Sequence, residues 1–293
     1  MLRNSVIITG SRAIARSYAK INLTLDVLGK RDNGYHDVKM LMQTTSLFDL
    51  VIVDRMEEEI SVSTNLKYLP NNDKNIAYQA VLAFLEYTKI KGGARIIIHK
   101  NIPVAAGLAG GSSNAAAVLV ALDMLYNTNL TDEELITIGA KLGADVPYCI
   151  MGGTQLASGI GEILTPAPPL PDCWILLVKP PVNISTKVIY EAIDGADIKT
   201  HPDTDGMINA LNSGDLYEIS KRLANVMETV TVEKEPQIRG IKEKMQKNGA
   251  LGALMSGSGP TVFGIFDDFE KAKASADSFY YQFKDVYLVK NHT

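Results

Sequence analysis

The sequence predicts an α+β fold in two lobes, on three observations. Apolar and β-branched residues crowd the first third of the chain, one helix-length segment is apolar all round, and later strands and helices do not alternate as regular βαβ units. The 293 residues fit one large or two modest domains at roughly 150 residues each. Hydrophobic residues make up 46% of the chain, enough for a real core. The Pro-rich stretch TPAPPLP, residues 165–171, is the best boundary. It divides a β-rich N-terminal lobe with a buried central helix (1–166) from a smaller α/β C-terminal lobe (167–293).

In chain order, 6–9, 17–28 and 46–53 have the density of strands, and Asn33-Gly34 is a strong turn dipeptide. Residues 71–73 cap a helix running to Tyr87, with Ile76, Ala80, Ala83 and Tyr87 along one stripe. A strand over 94–100 leads through Pro103 into a Gly-rich passage. Then come residues 115–125, where only Asp123 is not apolar; such a helix is buried at the centre of a domain. Thr131 and Glu134 form a capping box for a further helix that Gly143 closes. Past the boundary, a strand at 174–178 precedes loops at Pro180-Pro181 and 195–206. Helical patterns cover 215–227 and 236–247, the latter with Ile238, Ile241 and Met245 on one face. A strand (261–266), a helix (269–280) and a strand (286–289) finish the chain.

Lys+Arg 29 against Asp+Glu 33 leaves a net charge of −4. Without a basic tract there is no electrostatic footprint for nucleic acid, and any anionic ligand must be held by a local site. Two cysteines make no disulfide framework, and the four scattered histidines do not suggest zinc. The apolar run near the N-terminus is too short for a signal peptide, and 115–125 is too short for a bilayer. The chain reads as soluble and cytoplasmic.

The passage Gly107 to Asn114 is the most informative segment. A strand, a turn with three glycines and two serines, and then a buried helix put bare N–H groups at the positive end of a helix dipole. Glycine lets a phosphate approach the backbone, and Ser112 and Ser113 add hydroxyls able to meet phosphate or magnesium. The competing reading is a tight turn with Ser113 or Asn114 as an ordinary N-cap; three glycines exceed what a cap requires. No GxxxxGK[ST], GxGxxG or GxSxG occurs, so the P-loop, the dinucleotide fingerprint and the hydrolase elbow are absent. Lys20 shares a strand face with Asn22 and Thr24, either as a solvated stripe or as a functional cation. Asp145 enters an apolar stretch just past a helix end, as a turn former or as a working carboxylate. The Ser256–Gly259 turn is a second small-residue loop able to pack on the first.

Three separated motifs, AKINLTLDVLGKRDNGYH, PVAAGLAGGSSNAAA and MSGSGPTVFG, stand in the order and spacing of the GHMP small-molecule kinases, and the chain resembles that family from about Arg16 to Gly264. The segment LGADVPYCIMGGT resembles the branch whose acceptor is a cytidine-diphosphate-linked polyol of non-mevalonate isoprenoid synthesis. The resemblance implies a GHMP-kinase-like fold, ATP and Mg²⁺ as cofactors, small-molecule substrates, and neither nucleic acid nor membrane as partner. It implies an ATP loop over Pro103, Val104, Ala105, Ala106, Gly107, Leu108, Ala109, Gly110, Gly111, Ser112 and Ser113, with Ala109 where many members have Gly. It assigns catalysis to Lys20 and Asp145, and places Asn75 and Lys100 near the adenine. Tyr35 would stack on cytosine and His36 bond its polar edge, while Asn22, Pro181, Thr186, Ser256 and Gly257 line the acceptor. Tyr18 stands where many members have proline and is expected to alter the start of its strand. The first ten residues lie beyond the family's usual start, as a variable arm. Two rivals remain: a GHMP kinase for another alcohol, of the mevalonate or homoserine type, and a non-catalytic nucleotide-binding module.

Overall fold

The computed structural model describes residues 2–292. Contacts divide the chain into two compact units, one of Met1–Ala19, Phe48–Val104 and Ala109–Gly152, the other of Lys20–Leu47, Ala105–Leu108 and Gly153–Thr293. This division differs from a single cut near residue 166, because two long strands each contribute residues to both units.

In the first unit a 3-10 turn (Leu2–Ser5) leads into β1 (Val6–Thr9), β2 (Arg12–Lys30), β3 (His36–Met56) and β4 (Ile60–Thr64). Then come α1 (Ile76–Thr88), β5 (Gly93–His99), α2 (Gly110–Tyr126), α3 (Asp132–Ala140) and α4 (Asp145–Met151). The strand order is β1-β2-β3-β5-β4. β1 runs antiparallel to β2 with Ile7 opposite Ile14, β3 antiparallel to β5 with Ile52 opposite Ile97, and β4 parallel to β5 with Val62 opposite Ile96. Residues 2–9 are held within this unit. β1 is paired, and the Arg3 guanidinium donates to Asp123 Oδ2 and the Leu130 carbonyl at 2.5 and 2.6 Å.

Two expected strands prove to be fragments of longer ones. Tyr18 therefore lies mid-strand in β2, its ring edge-on to Phe48 at 5.8 Å between centroids, and does not mark a strand start. α1 begins later than residues 71–73 suggest, because Asn75 is its cap and accepts from the Ala77 N–H. Its buried stripe is Ala77, Ala80, Val81 and Phe84, while Tyr87 is exposed. α2 is buried as its composition predicts, from Ser113 to Leu125 with Met124 only partly covered. The Thr131–Glu134 capping box opens α3, which ends at Ala140 with Lys141 as its C-cap, short of Gly143. Among the described residues no helix is long and apolar enough to cross a membrane.

The second unit takes β2 from Lys20 onward and β3 up to Leu47. It adds β6 (Thr154–Ser158), β7 (Ile163–Pro166), β8 (Trp174–Lys179), α5 (Thr186–Ile193), α6 (Thr204–Ser213) and α7 (Leu216–Lys221). β9 (Ala224–Asn225), α8 (Met227–Lys234), α9 (Gln237–Lys247), β10 (Gly252–Met255), β11 (Val262–Phe266), α10 (Phe269–Asp277) and β12 (Asp285–Lys290) complete it. β6 pairs antiparallel with β3. An antiparallel sheet, β10-β11-β8-β12, has Phe263 opposite Leu177 and Leu288 opposite Leu176, and α9 buries Ile238, Ile241 and Met245. The helix expected over 215–227 is broken: Ala224 and Asn225 leave it to pair in parallel with Thr24 and Leu25. Helix period in the sequence cannot reveal that break, because the partner strand lies some two hundred residues earlier.

Candidate active site

The Gly-rich loop is shaped by what each of its halves touches. In the first unit, Ala109 occupies the N-cap of α2 at φ 56° and ψ 25° and supplies no side-chain cap. The cap is thus neither Ser113 nor Asn114; Ser113 N–H makes an early intrahelical bond, to the Ala109 carbonyl at 2.9 Å. The preceding N–H groups of Gly110, Gly111 and Ser112 are the orphan donors of a helix start. A Cβ on Gly110 would meet Ile102 Cγ2 at 2.9 Å and Lys100 Nζ at 3.1 Å, so packing requires that glycine. Gly111 is different: it is exposed, and a Cβ there would make only an ordinary 3.7 Å contact with Ile76.

In the second unit, Ala105 and Gly107 adopt positive φ, +51° and +74°. A Cβ on Gly107 would lie 2.2 Å from the Ser256 carbonyl oxygen, so no larger residue fits. Ser256 Oγ donates to the Gly107 carbonyl at 2.9 Å, and Lys20 N–H donates to the Leu108 carbonyl at 3.2 Å. The two small-residue loops do pack together, as their composition suggests. Leu108 and Ala106 are buried, Pro103 and Val104 half-buried.

Lys20 is 4% exposed, and its ammonium donates to Asn22 Oδ1 at 2.7 Å. Asn22 Nδ2 in turn meets Met40 Sδ at 3.3 Å. The polar stripe of β2 is therefore buried, not the solvated face it could have been. Within its own unit no carboxylate among the described residues pairs with Lys20, which leaves an ammonium with donor capacity to spare. Asp145 is the first residue of α4, where the helix dipole favours its negative charge. It is half-buried. Among the described residues of its unit, no hydrogen bond or ion pair takes up its carboxylate.

Lys100 has a role the sequence does not suggest. Its ammonium is ion-paired with the wholly buried Asp49 and donates to Asn114 Oδ1 at 3.0 Å. Asp49 Oδ1 accepts the N–H groups of Asn101 and Ile102 at 2.7 and 2.8 Å. Asn114 donates to Asp49 Oδ2 at 2.9 Å and to Ser17 Oγ at 2.7 Å. The cluster thus ties the exit of β5 to the second turn of α2, bracing the loop at both ends, and the Lys100 ammonium is consumed there. Asn75 is likewise committed, capping α1 with its oxygen and donating to the Pro70 carbonyl at 2.8 Å.

Elsewhere in the second unit, His36 is 8% exposed and its Nε2 lies 2.6 Å from Asp194 Oδ1. Lys30 Nζ donates to the other carboxylate oxygen at 2.6 Å. These bonds, that of His36 first, hold the Asp194 carboxyl below the usual carboxylate range. The His36 ring stacks on Tyr190, centroids 4.6 Å apart and planes 19° off parallel. Tyr35 is 59% exposed, its ring free of the core. Exposed Thr186, the first residue of α5, shares a 2.9 Å hydrogen bond with Ser258 Oγ. Pro181 is exposed in the loop before it, beneath which Lys179 Nζ donates to the Val182 carbonyl at 3.0 Å. Gly257, at φ +57°, has its missing Cβ 3.5 Å from Lys20 Nζ.

Family models match the chain over residues 75–153, as the N-terminal domain of GHMP kinases, and over 207–285, as their C-terminal domain. It is 51% identical to a 4-diphosphocytidyl-2-C-methyl-D-erythritol kinase from Lachnospira eligens, covering 86% of this chain and 88% of that one. A protein of the same name from Lachnoclostridium phytofermentans is 50% identical over 92% and 91% of the two chains. Among solved structures, a 4-(cytidine 5'-diphospho)-2C-methyl-D-erythritol kinase superposes with a TM-score of 0.82 at 30% identity, covering 96% of this chain and 99% of that one.

Proposed function

The chain belongs to the GHMP kinases, and from that premise we propose that it phosphorylates the 2-hydroxyl of 4-diphosphocytidyl-2-C-methyl-D-erythritol, using ATP, in non-mevalonate isoprenoid precursor synthesis. It is an ATP-dependent small-molecule kinase. The observation that carries the nucleotide half of the reading is the bare N-terminus of α2. Its first N–H groups lack a side-chain cap, and Gly111 is bare although the fold has room for a side chain there. A glycine where the fold has room for a side chain leaves the backbone open to a ligand, and a triphosphate is the ligand a helix start favours. The acceptor half rests on the likeness to relatives that carry that enzyme's name, and on an exposed aromatic ring at Tyr35 suited to stacking on a base.

Phosphoryl transfer asks the protein mainly for positioning and charge stabilisation. The loop from Pro103 to Ser113 cradles the phosphates. The acceptor hydroxyl attacks the γ-phosphorus in line, the bond from that phosphorus to the bridging oxygen of ADP breaks, and the hydroxyl proton passes to the Asp145 carboxylate. A carboxylate is a weak base. It suffices because a loose transition state releases the proton late, once bonding to phosphorus has made the hydroxyl acidic. Lys20, cationic and desolvated, offsets charge on the transferring group. Magnesium enters with the nucleotide, as part of the MgATP substrate. A hard cation of this kind binds chiefly through phosphate oxygens and water, with the Ser113 hydroxyl the loop's own candidate ligand. This suits a chain in which no three His, Cys, Asp or Glu among the described residues are grouped to hold a metal.

Incubation with γ-labelled ATP and, separately, the cytidine compound, mevalonate and homoserine tests the assignment. Label is expected in the cytidine compound alone; transfer to either of the other two alcohols instead overturns the substrate assignment while leaving the family intact.

A further inference from the structure

The turn that closes on the Gly-rich loop is itself held by a residue to which the sequence gives no prominence. Asn225 is 7% exposed, and its Nδ2 donates to the carbonyls of Met255 and Gly257, both at 2.8 Å. These are the carbonyls on either side of Ser256. The amide orientation is fixed from the other end, where Oδ1 accepts the Met227 N–H at 3.0 Å; a flipped amide would set oxygen against two carbonyl oxygens. Glu228 adds a further hold, its Oε2 accepting the Met255 N–H at 3.0 Å, while its Oε1 is ion-paired with Lys242. Ser256 reaches the loop through its hydroxyl on the Gly107 carbonyl. Its own carbonyl is already so close to Gly107 that no Cβ could intervene. Gly257 flanks the Lys20 ammonium. A shift of the turn by a few tenths of an ångström must therefore displace Gly107, Lys20 or both.

Resting on the functional reading above, we propose that Asn225, backed by Glu228, is a positioning residue for the nucleotide. It sets the Ser256–Gly257 turn, and through it the backbone of the phosphate loop and the Lys20 ammonium. Core filling does not account for it. Asn225 and Glu228 lie at an open depression that also meets Leu223, Thr229 and Arg239, and what fixes the Asn225 amide there is its hydrogen bonds to Met255, Gly257 and Met227.

Asn225→Asp preserves the shape and the acceptor for Met227 but turns the two-carbonyl donor into an anion facing two oxygens. Steady-state kinetics of this variant, of Ser256→Ala and of the double variant form a cycle read on the KM for ATP. Expected for Asn225→Asp is a rise of about tenfold in the KM for ATP, larger than any rise in the KM for the acceptor. In the Ser256→Ala background the same substitution is expected to raise the ATP KM by a smaller factor, about fivefold or less, because the hydroxyl bond to Gly107 has gone and only the backbone contacts remain to transmit the shift. Full additivity, or an unchanged ATP KM in a folded Asn225→Asp, overturns the proposal. If the unaltered chain turns over no cytidine acceptor, the functional reading fails; the same cycle read on ATP affinity by calorimetry then decides the Asn225 proposal separately.

Discussion

Ala109 holds α2 open with its backbone in a left-handed conformation, φ 56°. An L side chain is disfavoured there by roughly 1–2 kcal/mol, a penalty glycine escapes. Ala109→Gly is therefore expected to raise stability by about 1 kcal/mol, seen as a higher urea midpoint at unchanged slope. A midpoint that falls would mean that the alanine methyl contributes packing worth more than the strain. Single residues were unevenly legible in the sequence. The three glycines stand out because they exceed what a helix cap needs, whereas Lys20 and Asp145 are singled out by the resemblance to the family, their own surroundings in the sequence leaving a plain structural role open. Lys100 and Asn75 could be found but not understood, since their partners, Asp49 and Pro70, depend on contacts that only folding creates.

Among the elements, α2 was readable almost whole because an all-apolar segment has one physical destination. Its true start at Gly110 was not, since a helix with glycine and serine in its first turn resembles a loop. β2 and β3 ran past their visible cores because stretches such as 36–43 mix polar residues with methionine and leucine, weak strand formers on their own. What sets the junction of β5 and α2 is the buried Asp49–Lys100 pair with Asn114 and Ser17. Asp49→Ala would strand a buried ammonium and two backbone donors. The expected loss is about 3–5 kcal/mol in equilibrium denaturation. A cost below about 1 kcal/mol would show that the pair does not brace the loop.

Over the whole molecule, acid sensitivity should report on the first unit's surface strut. The guanidinium of Arg12, with that of Arg95, holds Asp54 at about 2, against its ordinary 3.8. A depressed carboxylate stabilises the fold fully above its unfolded pKa, and that contribution fades as pH falls from about 4 through 2. Both arginines are about half exposed, so solvent screening limits the effect to about 1 kcal/mol. Stability measured from pH 5 to 2 should therefore fall less steeply in Asp54→Asn than in the parent; identical profiles would dismiss the strut. Composition and motif order sufficed for the fold class. The tracing of β2 and β3 through both units did not show in any local pattern, because it is decided by pairings between distant stretches of chain.

The proposed reaction turns on a carboxylate that takes a proton from an alcohol. The turnover of Asp145→Asn, with folding checked by circular dichroism and ATP affinity by calorimetry, tests this directly. General-base removal predicts a kcat lower by at least about a hundredfold with ATP affinity preserved. A folded variant that binds ATP and turns over at nearly the parent rate would contradict it.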